Sequence, residues 1–154
     1  MIERAWTLEL KFKFEVRHGP NTSFQRTLTR GGFGIAYSDS DGNPFDGNKT
    51  YKVNLPAPVP VKDFWCFTLY DNQTRSMLQT DQQFPGIDGN KEGLQKNSDG
   101  SVDVYIGPKA PAGRESNWIQ SAPGKGWNTI LRLYGPLEPW FDKTWKPGDF
   151  ELVE

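Results

Sequence analysis

Between Tyr51 and Glu154 the sequence reads as one β-strand signal after another, each closed by a turn signal. Such a chain buries its apolar side chains by stacking sheets, because a lone sheet leaves one apolar face in water. Asp63 to Tyr70 is nearly continuously apolar and aromatic, the pattern of a central strand covered on both faces. Val102 to Ile106 alternates after the turn Asn97-Ser98-Asp99-Gly100. Trp127 to Tyr134 is a further strong strand, and Phe150 to Val153 reads as a closing one.

The first half adds more strands. Leu8, Leu10, Phe12, Phe14 and Val16 alternate strictly with charged residues, which predicts a half-buried antiparallel strand. A weaker strand runs over Ser23 to Thr29, and a short one over Phe33 to Tyr37. The loop from Ser38 to Asn48 is full of turn formers. Thr50 to Leu55 resumes the alternation, and the spacing predicts a hairpin with the 33–37 strand around that loop. Pro56, Pro58 and Pro60 hold the next segment extended. Arg75 to Gln79 reads as a short strand or helical turn, 81–95 and 108–116 as long loops, and Glu138 to Lys143 as one helical turn. The expected fold is all-β: an antiparallel two-sheet sandwich, jelly-roll-like, in one domain spanning 1–154.

Eighteen basic and nineteen acidic residues give a net charge of −1, which argues against broad attraction to nucleic acid or anionic lipid. No stretch is apolar enough to insert in a membrane. The start, Met1 to Trp6, has no apolar run before its charges, so no secretory signal is expected. The compartment is not legible. Cys66 is the single cysteine; it lies in an apolar strand, far in sequence from the single histidine, His18, and reads as a small buried hydrophobe.

Three sets of residues carry possible chemistry. Asp39, Asp41, Asn43 and Asp46 alternate as calcium ligands do, but an EF-hand pattern counted from Asp39 would need Gly and Glu where Pro44 and Thr50 stand. Arg132 stands among apolar residues in a core-type strand, so it needs a partner or water. Asp71 is the expected partner in a clasp between strands; the alternative is an anion or carboxylate clamp in a pocket, with Arg75 and Asn117 as further candidates. Trp118, Trp127, Trp140 and Trp145 lie in or beside loops and suit stacking on a sugar or flat ligand, anchoring an interface, or capping the sandwich. Gly124-Lys125-Gly126 lacks Walker spacing and reads as a turn. No acid–base couple stands out, and no cofactor is implied.

Several motifs match a known pattern in the right order. They are Asp41 to Pro44 with Asp46-Gly47, Lys49 to Tyr51, the Phe64 to Asp71 strand, Thr74 to Gln79, Asn97 to Ser101 and Gly107-Pro108. Asn117-Trp118, Gly124 to Trp127 and Leu131 to Pro136 complete them. From about Gly42 onward the chain resembles the bacterial domain of unknown function 1214, usually found C-terminal to domain of unknown function 1254. Residues 1–31 do not match. The resemblance implies a β-rich, jelly-roll-like domain and brings no catalytic residue.

The leading expectation is therefore a non-catalytic interaction or assembly domain. It would pair with a companion domain or with its own copy. A small-ligand or carbohydrate-binding module using the loop tryptophans is the alternative, and a metal-assisted hydrolase a second one.

Overall fold

The computed structural model describes residues 24–26 and 32–153. The Leu8–Val16 alternation lies outside them, as does most of the Ser23–Thr29 segment. Nine strands are described: β1 (Phe24–Arg26), β2 (Gly32–Ala36), β3 (Tyr51–Leu55), β4 (Val61–Asp71), β5 (Gly86–Asp88), β6 (Val102–Gly107), β7 (Trp118–Gln120), β8 (Trp127–Pro136) and β9 (Glu151–Leu152). They form a five-stranded sheet in the order β1-β2-β8-β4-β5 and a four-stranded sheet in the order β7-β6-β3-β9. The result is an all-β sandwich, as the strand signals predict. A 3-10 turn (Glu115–Asn117) and a four-residue helix, α1 (Glu138–Phe141), are the helical pieces among the described residues. Pro139 sits in the first turn of α1, where its fixed φ suits a helix start.

The predicted strands at 33–37, 50–55, 63–70, 102–106, 127–134 and 150–153 all form within a residue or two, with β4 extended to Asp71. Their pairing differs from expectation in three places. β2 and β3 do not make a hairpin: β2 pairs with β1 and β8, and β3 with β6 and β9 in the other sheet. The intervening loop closes on itself instead, through a bridge between Ser38 and Pro44. The expected 81–95 loop contains β5, which lies along Cys66–Thr68 of β4. The chain after the 3-10 turn forms β7, which runs parallel to β6, so the sandwich is not purely antiparallel. Arg75 to Gln79 forms no helix; Met77 bridges to Tyr70, and the Leu78 N–H donates to the Leu69 carbonyl at 3.0 Å.

Alternation along each strand decides what enters the core. β3 contributes Tyr51, Val53 and Leu55, β6 Val102, Val104 and Ile106, and β7 Ile119, all buried. From the facing sheet β4 sends in Trp65, Phe67 and Leu69, and β8 sends in Trp127, Leu131 and Leu133. Phe45 stacks on Trp127, with ring centroids 4.0 Å apart and planes at 3°, and Phe150 and Tyr51 meet these rings edge-on. The Trp127 indole N–H is sealed in this cluster with no hydrogen-bond partner.

The two outer faces are unlike. The four-stranded sheet turns Lys52, Asn54, Asp103, Tyr105, Trp118 and Gln120 outward, the expected polar face. In β2 the order is reversed. Gly32, Gly34 and Ala36 face inward, while Phe33 and Ile35 face outward, opposite Arg132 and Ile130. A β-carbon on Gly32 would lie 2.8 Å from the Pro136 Cβ, so close packing there requires glycine. The outward band continues through Phe64, Cys66, Thr68 and Tyr70 of β4 and through Tyr134, whose ring stacks on Phe64 at 4.3 Å.

Candidate functional site

Asp71 ends β4 on the inner side, opposite Trp127, and is buried. Its carboxylate accepts the Lys125 ammonium at 2.7 Å and the backbone N–H groups of Gln73 (2.7 Å) and Thr74 (3.3 Å). The Lys125 hydrogen bond, then the Gln73 amide, hold its carboxyl below the usual range. Lys125 comes from the Gly124-Lys125-Gly126 turn, which therefore closes over the end of β4. Arg75 lies in the adjoining turn with φ 58°, its side chain exposed and its N–H donating to the Asp71 carbonyl at 2.8 Å.

Arg132 is not the partner of Asp71. Their strands are neighbours, but Arg132 stands opposite Cys66, five residues along β4, a separation of about 16 Å at ~3.3 Å per residue. Parity separates them too: Asp71 points inward with Leu69, and Arg132 points outward with Cys66. On that outer face the guanidinium donates to the Tyr70 hydroxyl at 2.8 Å and to the Thr68 hydroxyl at 3.4 Å, and lies 5.8 Å from the centre of the Tyr70 ring. Cys66 is buried beside it, and burial pushes its thiol pKa up, away from the thiolate that reaction would need.

Asn117 is fully buried and serves as a staple. Its amide nitrogen donates to the carbonyls of Gln95 and Asp103, both at 2.8 Å, and its oxygen accepts the Gln95 N–H at 2.8 Å and the Ser116 hydroxyl at 3.2 Å. These bonds fasten the chain before β6 to the chain entering β7. The tryptophans do not gather at one place. Trp127 is in the core, and Trp140 and Trp145 are buried against each other at 6.2 Å. The Trp145 indole donates to the Pro56 carbonyl at 2.9 Å. Trp118 is partly exposed beside Tyr105 on the outer face of the four-stranded sheet, with its indole donating to the Gly107 carbonyl at 2.9 Å.

The aspartate-rich loop uses its oxygens on itself. Asp39 Oδ1 accepts the N–H groups of Asp41 (3.0 Å) and Asn43 (2.9 Å), and Asp46 Oδ1 accepts the backbone and side-chain N–H groups of Asn48, both at 2.9 Å. The Asn48 backbone bond is the first cause that lowers the Asp46 pKa. Among the described residues no three of His, Cys, Asp and Glu cluster closely enough to hold a metal ion.

Among the described residues, two clefts bear on the question of a site. A shallow one of about 530 Å³ lies where Thr50, Tyr105, Val153 and the Pro108–Ala112 loop meet. A second of about 350 Å³ lies at the end of the sandwich, between the start of β4 and the chain entering β6, with Val59, Val61, Trp65, Leu94 and Lys96 in its walls. The sequence marks neither, because their walls come from segments far apart in the chain.

This geometry can be set beside known proteins. A model of the family described as "Protein of unknown function (DUF1214)" matches residues 33–138, more than half of the chain. The chain belongs to that family. The DUF1214 match begins at β2 and ends in α1, so it contains both clefts' principal walls but not β9. The fold is similar to that of the VPA0106 protein from Vibrio parahaemolyticus, with a TM-score of 0.68 and 24% identity over 79% of this chain. It is also similar to an uncharacterised protein from Burkholderia cenocepacia, with a TM-score of 0.51 and 18% identity over 88% of this chain. The matched regions make up 30% and 31% of those longer chains. No curated protein matches the sequence.

Proposed function

We propose that this DUF1214 domain is a non-catalytic interaction and assembly module. It would use the outer face of the five-stranded sheet against a companion domain, of the kind numbered 1254, or against a second copy. We read its repeated crossings between sheets as jelly-roll-like. The observation that carries the reading is the reversed amphipathicity of β2, continued by Ile130, Phe64 and Tyr134. An antiparallel sheet with one face in water carries polar residues on that face. A band of large apolar side chains there favours cover by another surface. The Vibrio and Burkholderia chains support the idea of a module, since the similar region shares each of them with other segments.

The alternatives gain less. Three of the four candidate tryptophans have their rings buried, which disfavours stacking on a sugar. One carboxylate oxygen of each of Asp39 and Asp46 is taken by N–H groups of their own loop, which disfavours a metal-assisted hydrolase.

Light scattering over a concentration series tests the proposal, with and without a separately expressed companion domain. Ile130→Glu places a charge in the middle of the outer band. The expected result is a defined complex for the wild type and a folded monomer for the variant, with folding checked by circular dichroism. The same series on a chain lacking residues 1–23 separates cover by that segment from cover by a partner. A wild-type chain that stays monomeric at high concentration and binds no companion overturns the reading.

A further inference from the structure

We propose that the cleft at the end of the sandwich is a binding site for a small apolar acyl compound, held by the Trp65 indole N–H through the acyl oxygen. This site borders the outer face of the five-stranded sheet at Phe64, which stands in its wall, but the Trp65 that lines it faces inward. Its volume, about 350 Å³, suits a small molecule. Val59, Val61 and Leu94 supply apolar walls that continue into the hydrophobic core. Trp65, only 5% exposed, lines the cleft as well.

The indole is the informative group. Trp118 and Trp145 donate their N–H groups to backbone carbonyls, and the N–H of Trp127 is sealed in the core. The N–H of Trp65 has no hydrogen-bond partner among the described residues and is not sealed, although the residue is almost wholly buried. Gly89 explains how the ring is held. A β-carbon at position 89 would lie 2.7 Å from the indole nitrogen and 3.0 and 3.1 Å from its two neighbouring ring carbons. Such near-equal distances place that point above the ring face, not along the N–H direction. The Gly89 backbone therefore packs on the indole face and leaves the N–H edge free for an acceptor. A buried donor gains most from a partner that excludes water.

The rim defines the rest of the ligand. Lys96 and Asn90 offer donors at the mouth, and Asp63 offers a carboxylate. An acyl oxygen is complementary to the donors, and an ammonium head would not satisfy the indole. Hydrocarbon bulk belongs against Val59, Val61 and Leu94. A ligand of this size has an affinity of roughly millimolar order.

Hexanoate is the probe, titrated into uniformly ¹⁵N-labelled protein while the Trp65 indole N–H resonance is followed. Hexylammonium, of the same chain length without an acceptor, is the comparison. The expected result is a saturable shift of the Trp65 signal by hexanoate and none by hexylammonium. Lys96 is exposed, so Lys96→Ala keeps the fold, and it should weaken hexanoate several-fold. An absent or non-saturating shift at Trp65 overturns the proposal. So does an equal response to hexylammonium. Either result leaves the assembly reading standing, because that reading is centred on Ile35 and Ile130, which do not line the cleft.

Discussion

Replacing Asn117 by alanine tests whether one buried amide holds the two halves of the four-stranded sheet's edge together. The side chain satisfies three backbone groups, the Gln95 N–H and the carbonyls of Gln95 and Asp103, and is itself fully buried. Each lost bond that leaves a buried polar group behind costs about 1 kcal/mol, so Asn117→Ala should destabilise by about 2–3 kcal/mol. In a domain of this size that lowers Tm by roughly 5–10 °C. Urea unfolding followed by tryptophan fluorescence measures it, with an unchanged slope as the check that the unfolding reaction is the same. Asn117→Asp sharpens the test. It keeps the shape but turns a charged oxygen toward two carbonyls, so at neutral pH it should cost more than alanine. Burial raises the pKa of that new carboxyl above its unfolded value, so the folded state takes up a proton. The aspartate variant should therefore regain stability as pH falls through that raised pKa, because the protonated acid again donates. A loss for Asn117→Ala below about 0.5 kcal/mol, the size of an ordinary surface change, would refute the reasoning.

Two other predictions follow from single groups. Asp71 is held below its usual pKa first by Lys125, and Asp46, Asp99 and Asp142 are lowered by hydrogen bonds from neighbouring residues. Depressed carboxyls contribute stability that is complete above their unfolded pKa of about 3.9 and is lost as pH falls through the lower folded values. Acid titration followed by circular dichroism should place the loss below about pH 4, and Lys125→Met should move it upward; an unmoved midpoint would count against the Lys125–Asp71 pair. Separately, Trp127→Phe removes an orphaned donor, whereas Trp145→Phe strands the Pro56 carbonyl. Chemical denaturation should find the first variant less damaged by about 1–2 kcal/mol, and the reverse order would show that lost ring packing dominates.

Much of the fold is legible because alternation is a local property. Val102 to Ile106 and Tyr51 to Leu55 show their inner faces in the sequence itself, and the turn at Asn97 to Gly100 announces the strand that follows. The closing strand and the helical turn after Pro136 are marked in the same way. β5 and β7 are not, since three residues each carry too little pattern; they exist because β4 and β6 offer them an edge. The sites were less legible. Arg132, a cation among apolar residues, points in the sequence to Asp71 as its partner, whereas strand register gives Asp71 to Lys125 and Arg132 to the Thr68 and Tyr70 hydroxyls. Asn117 stands out in the sequence only as part of a motif, because the groups it bonds, on Gln95, Asp103 and Ser116, come from three separate segments.

By itself the sequence determined that this chain is a β-sandwich of the DUF1214 family, because side-chain order and turn chemistry act over a few residues. Only the tertiary structure decided that β2 turns its large side chains outward, that Asp71 and Arg132 lie on opposite faces, and that Trp65 meets Leu94 and Val59 across a cleft. Those outcomes depend on register and on which strands become neighbours. Both are set by the packing of segments distant in the chain, which no local pattern encodes.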